Sequence, residues 1–452
     1  MGTSPHSTQS NPRTPTGNYL KDLDYSVLQQ CMHCGMCLPT CPTYVDTKKE
    51  KNSPRGRISL MRAVVDGELT LNRDIAEEMY FCLGCLACTT ACPAGVDYAT
   101  LFEMTRAQVE KEGILDRPSR SWVRTLTLRW IFTHPRLLRF VGRGLWLYQK
   151  AGLQYLVRKS RILRLFPKRI RELEPLTPVV ENRFSDSLIR PQELPTGESK
   201  YRVALLTGCV QDLVFSSVNR DTADVLLANG CTVITPRNQY CCGSLHGHNG
   251  EWEIAKAMAR RQLDAIDPFA VDAIITNAAG CGSHLKHYDR LLQDDVAYRE
   301  RAQEWSRKLK DISEFLAEIG VRSVPAPKIC DKGDVTYHEA CHLCHGQQIT
   351  RQPRQVLKAM QGLNLKELDE STWCCGSAGV YNITQPEMAN KLLQRKMGKI
   401  EATGATIVAT GNPGCMVQLQ AGVRERGGNQ HVIHPVSLLA QAYREEQQRK
   451  AK

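Results

Sequence analysis

From Tyr201 to the C-terminus, apolar positions recur in two alternating spacings. The runs "YRVALLTGC", "CTVITP" and "VDAIITNAAGC" are short and apolar, which predicts strands. Between them, "SVNRDTADVLLANG" and "EWEIAKAMARRQLDAI" read as helices, with Gly230 stopping the first. Residues 284–320 read as helical. The rhythm then starts again: "DVTYHEAC", "LNLKELD" and "ATIVATGNPGC" as strands, "QPRQVLKAMQG" and "QPEMANKLLQRKMGKIEATG" as helices, and "HVIHPVSLLAQAYREE" closing the chain. Strands alternating with helices predict parallel sheets in two related α/β halves, residues 201–325 and 326–452.

Upstream the pattern differs. In "SPRGRISLMRAVVDG" a capping residue and Pro54 precede Ile58, Met61 and Val65, spaced i, i+3, i+7, so residues 20–115 are expected to be all-helical. Residues 116–200 divide into a segment rich in Leu, Arg and Trp, read as helices broken near Pro135 and Pro167, and a Pro-rich linker over 172–200. Residues 1–19 are rich in Ser, Thr and Pro and predict a disordered tail. The fold class expected is therefore α followed by α/β.

A length of 452 residues suggests two to four domains. The chain carries 19 cysteines, and the N-terminal stretch has no apolar core of a secretory signal. In a reducing compartment, clustered cysteines bind metal or do redox work more often than they form disulfides. No run of 18 apolar residues exists, so no membrane span is expected. The net charge of +12 is concentrated: residues 117–171 hold 15 Lys and Arg and no Asp or Glu.

Two runs carry the most specific chemistry. "CMHCGMCLPTCP" places Cys31, Cys34, Cys37 and Cys41 before Pro42; "CLGCLACTTACP" places Cys82, Cys85, Cys88 and Cys92 before Pro93. Both are C-x2-C-x2-C-x3-C-P. Three closely spaced thiolates wrap one cubane, and the fourth reaches the other cluster. The expected ligand sets are Cys31, Cys34, Cys37 and Cys92 for one [4Fe–4S] cluster, and Cys82, Cys85, Cys88 and Cys41 for a second. Structural zinc is the alternative, but zinc sites usually come as separated C-x2-C pairs. His33 reads as a plain loop residue. Arg55 and Arg57 either offset cluster charge or lie on a solvated helix start.

A second cysteine pattern is duplicated. Cys209 to Cys241 is 32 positions and Cys242 to Cys281 is 39; Cys341 to Cys374 is 33 and Cys375 to Cys415 is 40. Each set falls after predicted strands, at the carboxyl edge where open α/β sheets bind ligands. Soft thiolates there suit an additional metal or iron–sulfur centre per half, a redox dithiol, or a relict site. Gly243 and Gly376 let the backbone pass close to a bulky neighbour. Cys231 and Cys330 do not recur and read as structural. Cys344 is ambiguous, in "HEACHLCHG" with His338, His342 and His345.

Two ferredoxin-type runs, "SPRGR", and two C…CCG…C halves together resemble the iron–sulfur subunits of glycolate oxidase, from about residue 20 to the end. Each half resembles the cysteine-rich domain found in heterodisulfide reductases, whose pattern ends in C-x2-C. Here His284 stands three residues after Cys281, and Gln418 three after Cys415. Each half thus offers four thiols rather than the five of the noncubane cluster in that enzyme.

The chain shows no G-x-G-x-x-G after a strand and no P-loop, so it has no evident group to accept a hydride itself. It reads as an electron relay with no catalytic residue of its own. The resemblance implies an oxidoreductase complex: an FAD-containing partner oxidising glycolate or another 2-hydroxy acid, and a quinone or similar acceptor. The alternatives are a D-lactate or anaerobic glycerol-3-phosphate dehydrogenase subunit, or a heterodisulfide reductase-like enzyme. Residues 117–171, with Trp122, Trp130 and Trp146, suit an anionic membrane surface or an acidic partner. The expected location is cytoplasmic, or peripheral on the cytoplasmic face of the inner membrane. No nucleic-acid partner is expected beside a redox module.

Overall fold

A computed structural model describes residues 17–451, apart from 161, 166–170, 172, 173, 175 and 176. The predicted tail therefore lies mostly outside the described residues, and the break near Pro167 lies there too. The first described part is built from helices Tyr25–Gln29, Pro42–Thr47, Pro54–Val65, Arg73–Phe81, Ala87–Thr90 and Tyr98–Lys111. Side-chain caps set several starts: Ser53 accepts from Gly56 N, Asn72 from Ile75 N and Asp97 from Thr100 N. Leu28, Ile58, Met61, Ile75, Met79, Leu101 and Phe102 form the core of this part.

The basic segment folds as helix Pro118–Arg124, a widened π-helical stretch Thr125–Ile131, and helices Pro135–Lys150 and Leu153–Lys159. Pro135 begins a helix rather than breaking one, because a first-turn position needs no N–H partner. This segment braces the first α/β half. Arg124 and Arg129 pair with Glu251, and Arg139 pairs with Asp186 and Asp212. Gly142 sits where an added Cβ would lie 2.0 Å from the Leu213 Cδ1 methyl, so a larger residue there would push the Leu213 side chain aside.

The strands are β1 (Gln192–Glu193), β2 (Tyr201–Leu205), β3 (Cys231–Ile234), β4 (Ala273–Thr276), β5 (Leu309–Asp311), β6 (Val324–Pro325), β7 (Val335–Tyr337), β8 (Met360–Gln361), β9 (Leu365–Lys366), β10 (Ile407–Ala409) and β11 (His431–Ile433). The first sheet runs β1-β3-β2-β4-β5 and the second β11-β10-β7-β9; β6 and β8 form a small parallel pair. With β1 set aside, both main sheets are parallel with strand order 2-1-3-4 within their half.

Two further features differ from the expectation. Residues 284–320 are not continuously helical, since β5 interrupts them: Leu309 and Asp311 point inward and Lys310 outward. Three residues with a polar majority are too short to leave a period-two signal. The 172–200 stretch is more than a linker. It contributes helix Ser185–Leu188 and β1, which pairs antiparallel to β3 and makes the first sheet mixed.

The halves share one continuous core, in which Val203, Leu205, Val225 and Ile275 join Val335, Tyr337, Ile407 and Leu438. Helix Ser216–Ala228, after β2, packs on helix Pro435–Lys450, after β11. Helix Gln352–Lys358, after β7, packs on helix Ile312–Ile319, after β5. Each contact joins the helix after a first strand to the helix after the other half's last strand, as an approximate two-fold relation requires.

Candidate functional site

The first ferredoxin-type run forms the loop between helices Tyr25–Gln29 and Pro42–Thr47, with Cys41 as the extended N-cap of the latter. The second starts at Cys82, where helix Arg73–Phe81 ends. A hollow of about 460 Å³, partly open to solvent, is bordered by Cys31, Cys34, Cys37, Cys88 and Cys92. Cys41 lies away from the mouth, buried and within electrostatic reach of Cys85 and Cys88. The fold thus brings the eight thiols together, first-run and second-run residues mixed. Burial pushes the Cys85 and Cys88 thiols well above their ordinary values. The Cys82 sulfur faces the backbone N–H of Gly84 at 3.4 Å and the Tyr98 hydroxyl at 3.5 Å. Clustered thiols, nearby N–H donors and apolar walls fit [4Fe–4S] centres.

Three arginines hold this region: Arg57 and Arg55, for which the sequence left a charge-offsetting role and a solvated helix start open, and Arg106, which it did not single out. Arg57 is fully buried; it donates to Asn52 O (2.7 Å), Glu78 O (3.2 Å) and the Glu78 carboxylate (2.7 Å). It is no solvated helix start. Arg55 does lie at the surface, where it pairs with Glu50 and donates to His33 O at 2.8 Å, fixing the first loop. Arg106 donates to Met79 O and Cys82 O at 2.8 Å and to His248 O at 2.7 Å, tying the second run to the first α/β half.

The repeated cysteines do gather at the carboxyl edges of the two sheets. Cys209 begins helix Val210–Val214, Cys241 and Cys242 precede helix Ser244–His248, and Cys281 lies in helix Ala279–Leu285. Cys341 opens helix Cys341–Cys344, Cys374 and Cys375 follow β9, and Cys415 lies in the first turn of helix Pro413–Arg426. Gly243 (φ +86°) and Gly376 (φ +90°) take the left-handed backbone at matching places. A Cβ there would lie 3.3 Å from Ala255 O and 2.4 Å from Ala389 O, respectively.

The two sets differ in detail. In the first, Cys209 Sγ and Cys241 Sγ are 3.5 Å apart, and that hydrogen bond, with burial, pushes the Cys209 thiol well up. In the second, hydrogen bonds from Cys374 and Cys415, then His338, hold Cys375 well below the usual thiol range. One ring nitrogen of His338 and the sulfurs of Cys375 and Cys415 lie within 4.8 Å of one another, all buried. Matching the halves by distance from the cysteines shows why sequence reading passed over His338: its counterpart, three residues before Cys209, is Leu206. Comparing the halves residue by residue, rather than by cysteine spacing alone, exposes that difference. Cys231 is buried in its strand, and the Cys344 thiol donates to Cys341 O at 3.7 Å.

The second thiol set adjoins the ferredoxin-type part directly. Cys374, Leu83 and Tyr381 share an apolar cluster with Cys85 and Cys341 at its margin. His342 meets Gly84 O at 2.9 Å, and the Tyr381 hydroxyl donates to Phe81 O at 3.0 Å. Between this part and the first half lies a buried group of titratable residues. Glu103 meets His248 Nδ1 at 2.7 Å, and His284 and His342 stand beside His248. Burial pushes His284 down to about 3 and His342 to about 4, so both are neutral at physiological pH.

Comparison with known proteins agrees with this anatomy. The 4Fe-4S dicluster domain matches residues 27–96, the glycolate oxidase iron–sulfur subunit linker region 119–177, and the cysteine-rich domain 203–286 and 335–420. The probable glycolate oxidase iron–sulfur subunit of Bacillus subtilis is 39% identical over 446 residues, covering 96% of this chain and 98% of that protein. The glycolate oxidase iron–sulfur subunit of Escherichia coli is 32% identical, covering 93% and 95%. Lactate utilization protein A of Shouchella clausii is 30% identical over 52% of this chain and 98% of its own length.

Proposed function

We propose that this chain, which belongs to the family of glycolate oxidase iron–sulfur subunits, relays electrons from an FAD-containing partner that oxidises glycolate to glyoxylate towards a quinone-type acceptor. The observation that carries the reading is the hollow where thiols of both ferredoxin-type runs meet, next to a buried Cys41. Cys31, Cys34, Cys37 and Cys92 hold one [4Fe–4S] cluster, and Cys82, Cys85, Cys88 and Cys41 hold the other. When bound, such clusters store and pass single electrons. The chain's own residues fix the loops: Arg57 neutralises the interior, Arg55 pins His33, and Tyr98 faces the Cys82 sulfur. On this reading residues 20–115 are an all-helical ferredoxin domain, 116–200 a brace, and 201–325 and 326–452 cysteine-rich domains. Cys209, Cys241, Cys242 and Cys281, and Cys341, Cys374, Cys375 and Cys415, are candidate auxiliary centres.

The lactate utilization relatives keep D-lactate as the second substrate reading. Glycolate is preferred because the linker region matches and the two glycolate oxidase relatives span nearly the whole chain. Peripheral contact with the cytoplasmic face of a membrane is supported by the brace. Trp122, Trp130 and Phe140 are exposed there among basic residues, and no helix among the described residues is long and apolar enough to cross a bilayer.

Anaerobically purified protein is expected to contain about eight irons and eight acid-labile sulfides per chain. Iron near zero would end the relay reading. The same preparation should sediment with anionic vesicles, and Trp122→Ser with Trp130→Ser should weaken this several-fold; unchanged sedimentation removes the membrane contact.

A further inference from the structure

A second hollow lies where the brace meets the first α/β half. It is shallow, about 460 Å³ counted with its open mouth. Phe132 and Leu138 of the brace, with Phe184 and Leu213, give it apolar walls. Cys209 and Cys241, their sulfurs 3.5 Å apart, belong to the same lining. Mostly apolar walls with a few polar groups are the make-up of a small-molecule site.

The charges in the lining select the class of ligand. Arg139 reaches into it, but Asp186 at 2.6 Å and Asp212 at 3.1 Å already hold its guanidinium. Asp212 also accepts from Ser185 N at 2.7 Å. An entering carboxylate would have to take Arg139 from the buried Asp212, which would then carry an uncompensated charge. A 2-hydroxy acid is therefore disfavoured, and a neutral molecule is not. Arg237, exposed in the same lining, offers N–H donors to a carbonyl oxygen. A flat, neutral, largely apolar ring bearing carbonyl oxygens meets all of these conditions.

The surroundings agree with a ligand that arrives from lipid. Helix Pro135–Lys150 places Leu138 and Arg139 in the hollow and leaves Arg136, Phe140, Arg143 and Leu147 exposed, spaced i, i+4, i+7 and i+11. Phe140 is 75% exposed and Leu147 58%. Apolar residues flanked by arginines along one helix face suit a membrane interface. The hollow thus lies one helix away from that face. In the second half, the matching thiols Cys341 and Cys374 pack instead with Leu83 and Cys85 of the ferredoxin-type part. One half turns this pair towards the ferredoxin-type part, and the other turns it towards an open site.

We propose that this hollow binds the head group of a membrane quinone, with Arg237 donating to a ring carbonyl and Phe132, Leu138, Phe184 and Leu213 packing against the ring. The inference rests on the relay reading and deepens it, by placing the acceptor's site on this chain and naming the residues that hold it.

The full chain, purified anaerobically, is dialysed against 2,3-dimethyl-1,4-naphthoquinone, whose substituted ring does not alkylate thiols, and iron is measured on the same samples. Wild type is expected to bind one ring per chain, and excess glycolate to leave that binding unchanged. Leu138→Trp, which fills the hollow, should lower the affinity at least tenfold, and Arg237→Ala several-fold, both with iron unchanged. An azido derivative should label peptides within 132–139, 207–213 or 237–241 on illumination. No binding to wild type, unchanged affinity in both variants, competition by glycolate, or labelling confined to other peptides overturns the proposal. Absent binding at about eight irons per chain defeats this inference alone, whereas binding with iron near zero would end the relay reading and leave the site standing.

Discussion

The two α/β halves share strand order, cysteine spacing and a left-handed glycine after each cysteine pair, yet little of their site chemistry. The first half surrounds its thiols with Leu206, Gln262 and His284; the second uses His338, Lys396 and Gln418 at the matching places. The position where a fifth thiol would stand has diverged in its own way in each. His284 keeps a buried Nε2 without a partner beside the Glu103–His248 pair, while Gln418 accepts from Asn382 at 3.0 Å. What the duplication preserved is backbone: the strand ends that aim cysteines at one edge and the glycines that let the chain turn. Side chains between those fixed points were free to change.

Even the shared backbone is not equally tight, and alanine at the two glycines separates the halves most strongly. Both sites have φ near +90°, which costs a residue with a Cβ about 1–2 kcal/mol. At Gly376 the added Cβ also meets the Ala389 carbonyl at 2.4 Å, a backbone atom that cannot swing away, whereas at Gly243 the gap to Ala255 O is 3.3 Å. Overpacking adds about 1–3 kcal/mol. Gly376→Ala is expected to destabilise by about 2–5 kcal/mol in denaturant unfolding, and Gly243→Ala by about 1–2 kcal/mol. Equal losses would mean that the second half's turn relaxes as easily as the first's.

The helices after the two last strands begin on different titrating groups, which gives the halves opposite pH responses. Asp311 caps one, accepting from Ser313 N at 2.8 Å; burial pushes its carboxyl up to about 7, with Glu314 adding and Lys286 opposing. His434 caps the other, and burial pushes it down to about 4. A carboxyl raised in the folded state contributes stability in full below its unfolded value near 4, and loses it as pH rises to about 7. A depressed histidine contributes above its unfolded value near 6.5, and loses that as pH falls towards 4. Asp311→Asn should therefore gain on wild type by roughly 3 kcal/mol between pH 4 and 7, asparagine keeping the cap. His434→Asn should gain by a similar slope in the opposite direction. Thermal unfolding across pH checks both; a flat difference for Asp311→Asn would show that the carboxyl is ionised in the fold.

Much of this architecture was legible in the sequence because it rests on short-range rules. The cysteine runs encode their loops by spacing, and Ser53-Pro54 marks a helix start that the structure realises at Pro54–Val65. The apolar runs after Tyr201 announced the main strands. What escaped was set by tertiary contact. β1 and β5 exist because a neighbouring strand offers hydrogen-bonding edges, not because their own residues favour strands. Arg57 lies in an amphipathic helix, and its sequence leaves a charge-offsetting role and a solvated helix start equally open until Glu78, from the next helix, closes over it. His338 hid within a cysteine- and histidine-rich stretch where spacing alone could not rank its donors.

The smallest expected effect concerns how each half docks on the ferredoxin-type part. Tyr381 and His248 stand at matching distances after their cysteine pairs, and both reach across. Tyr381 donates to the carbonyl of Phe81, the residue before Cys82, while His248 meets the carboxylate of Glu103 on a helix that carries no cysteine. Tyr381→Phe removes only the hydroxyl and leaves the Phe81 carbonyl without that donor, at a cost of about 1–2 kcal/mol. Because the lost bond holds the peptide adjoining Cys82, the change should appear, under the proposed ligand set, in the electron paramagnetic resonance of the reduced cluster assigned to Cys82. His248→Gln should leave that signal as it is. If both variants shift it alike, the two halves contact the electron-transfer part on equal terms, and the closeness of the second thiol set to Cys85 has no bearing on the relay.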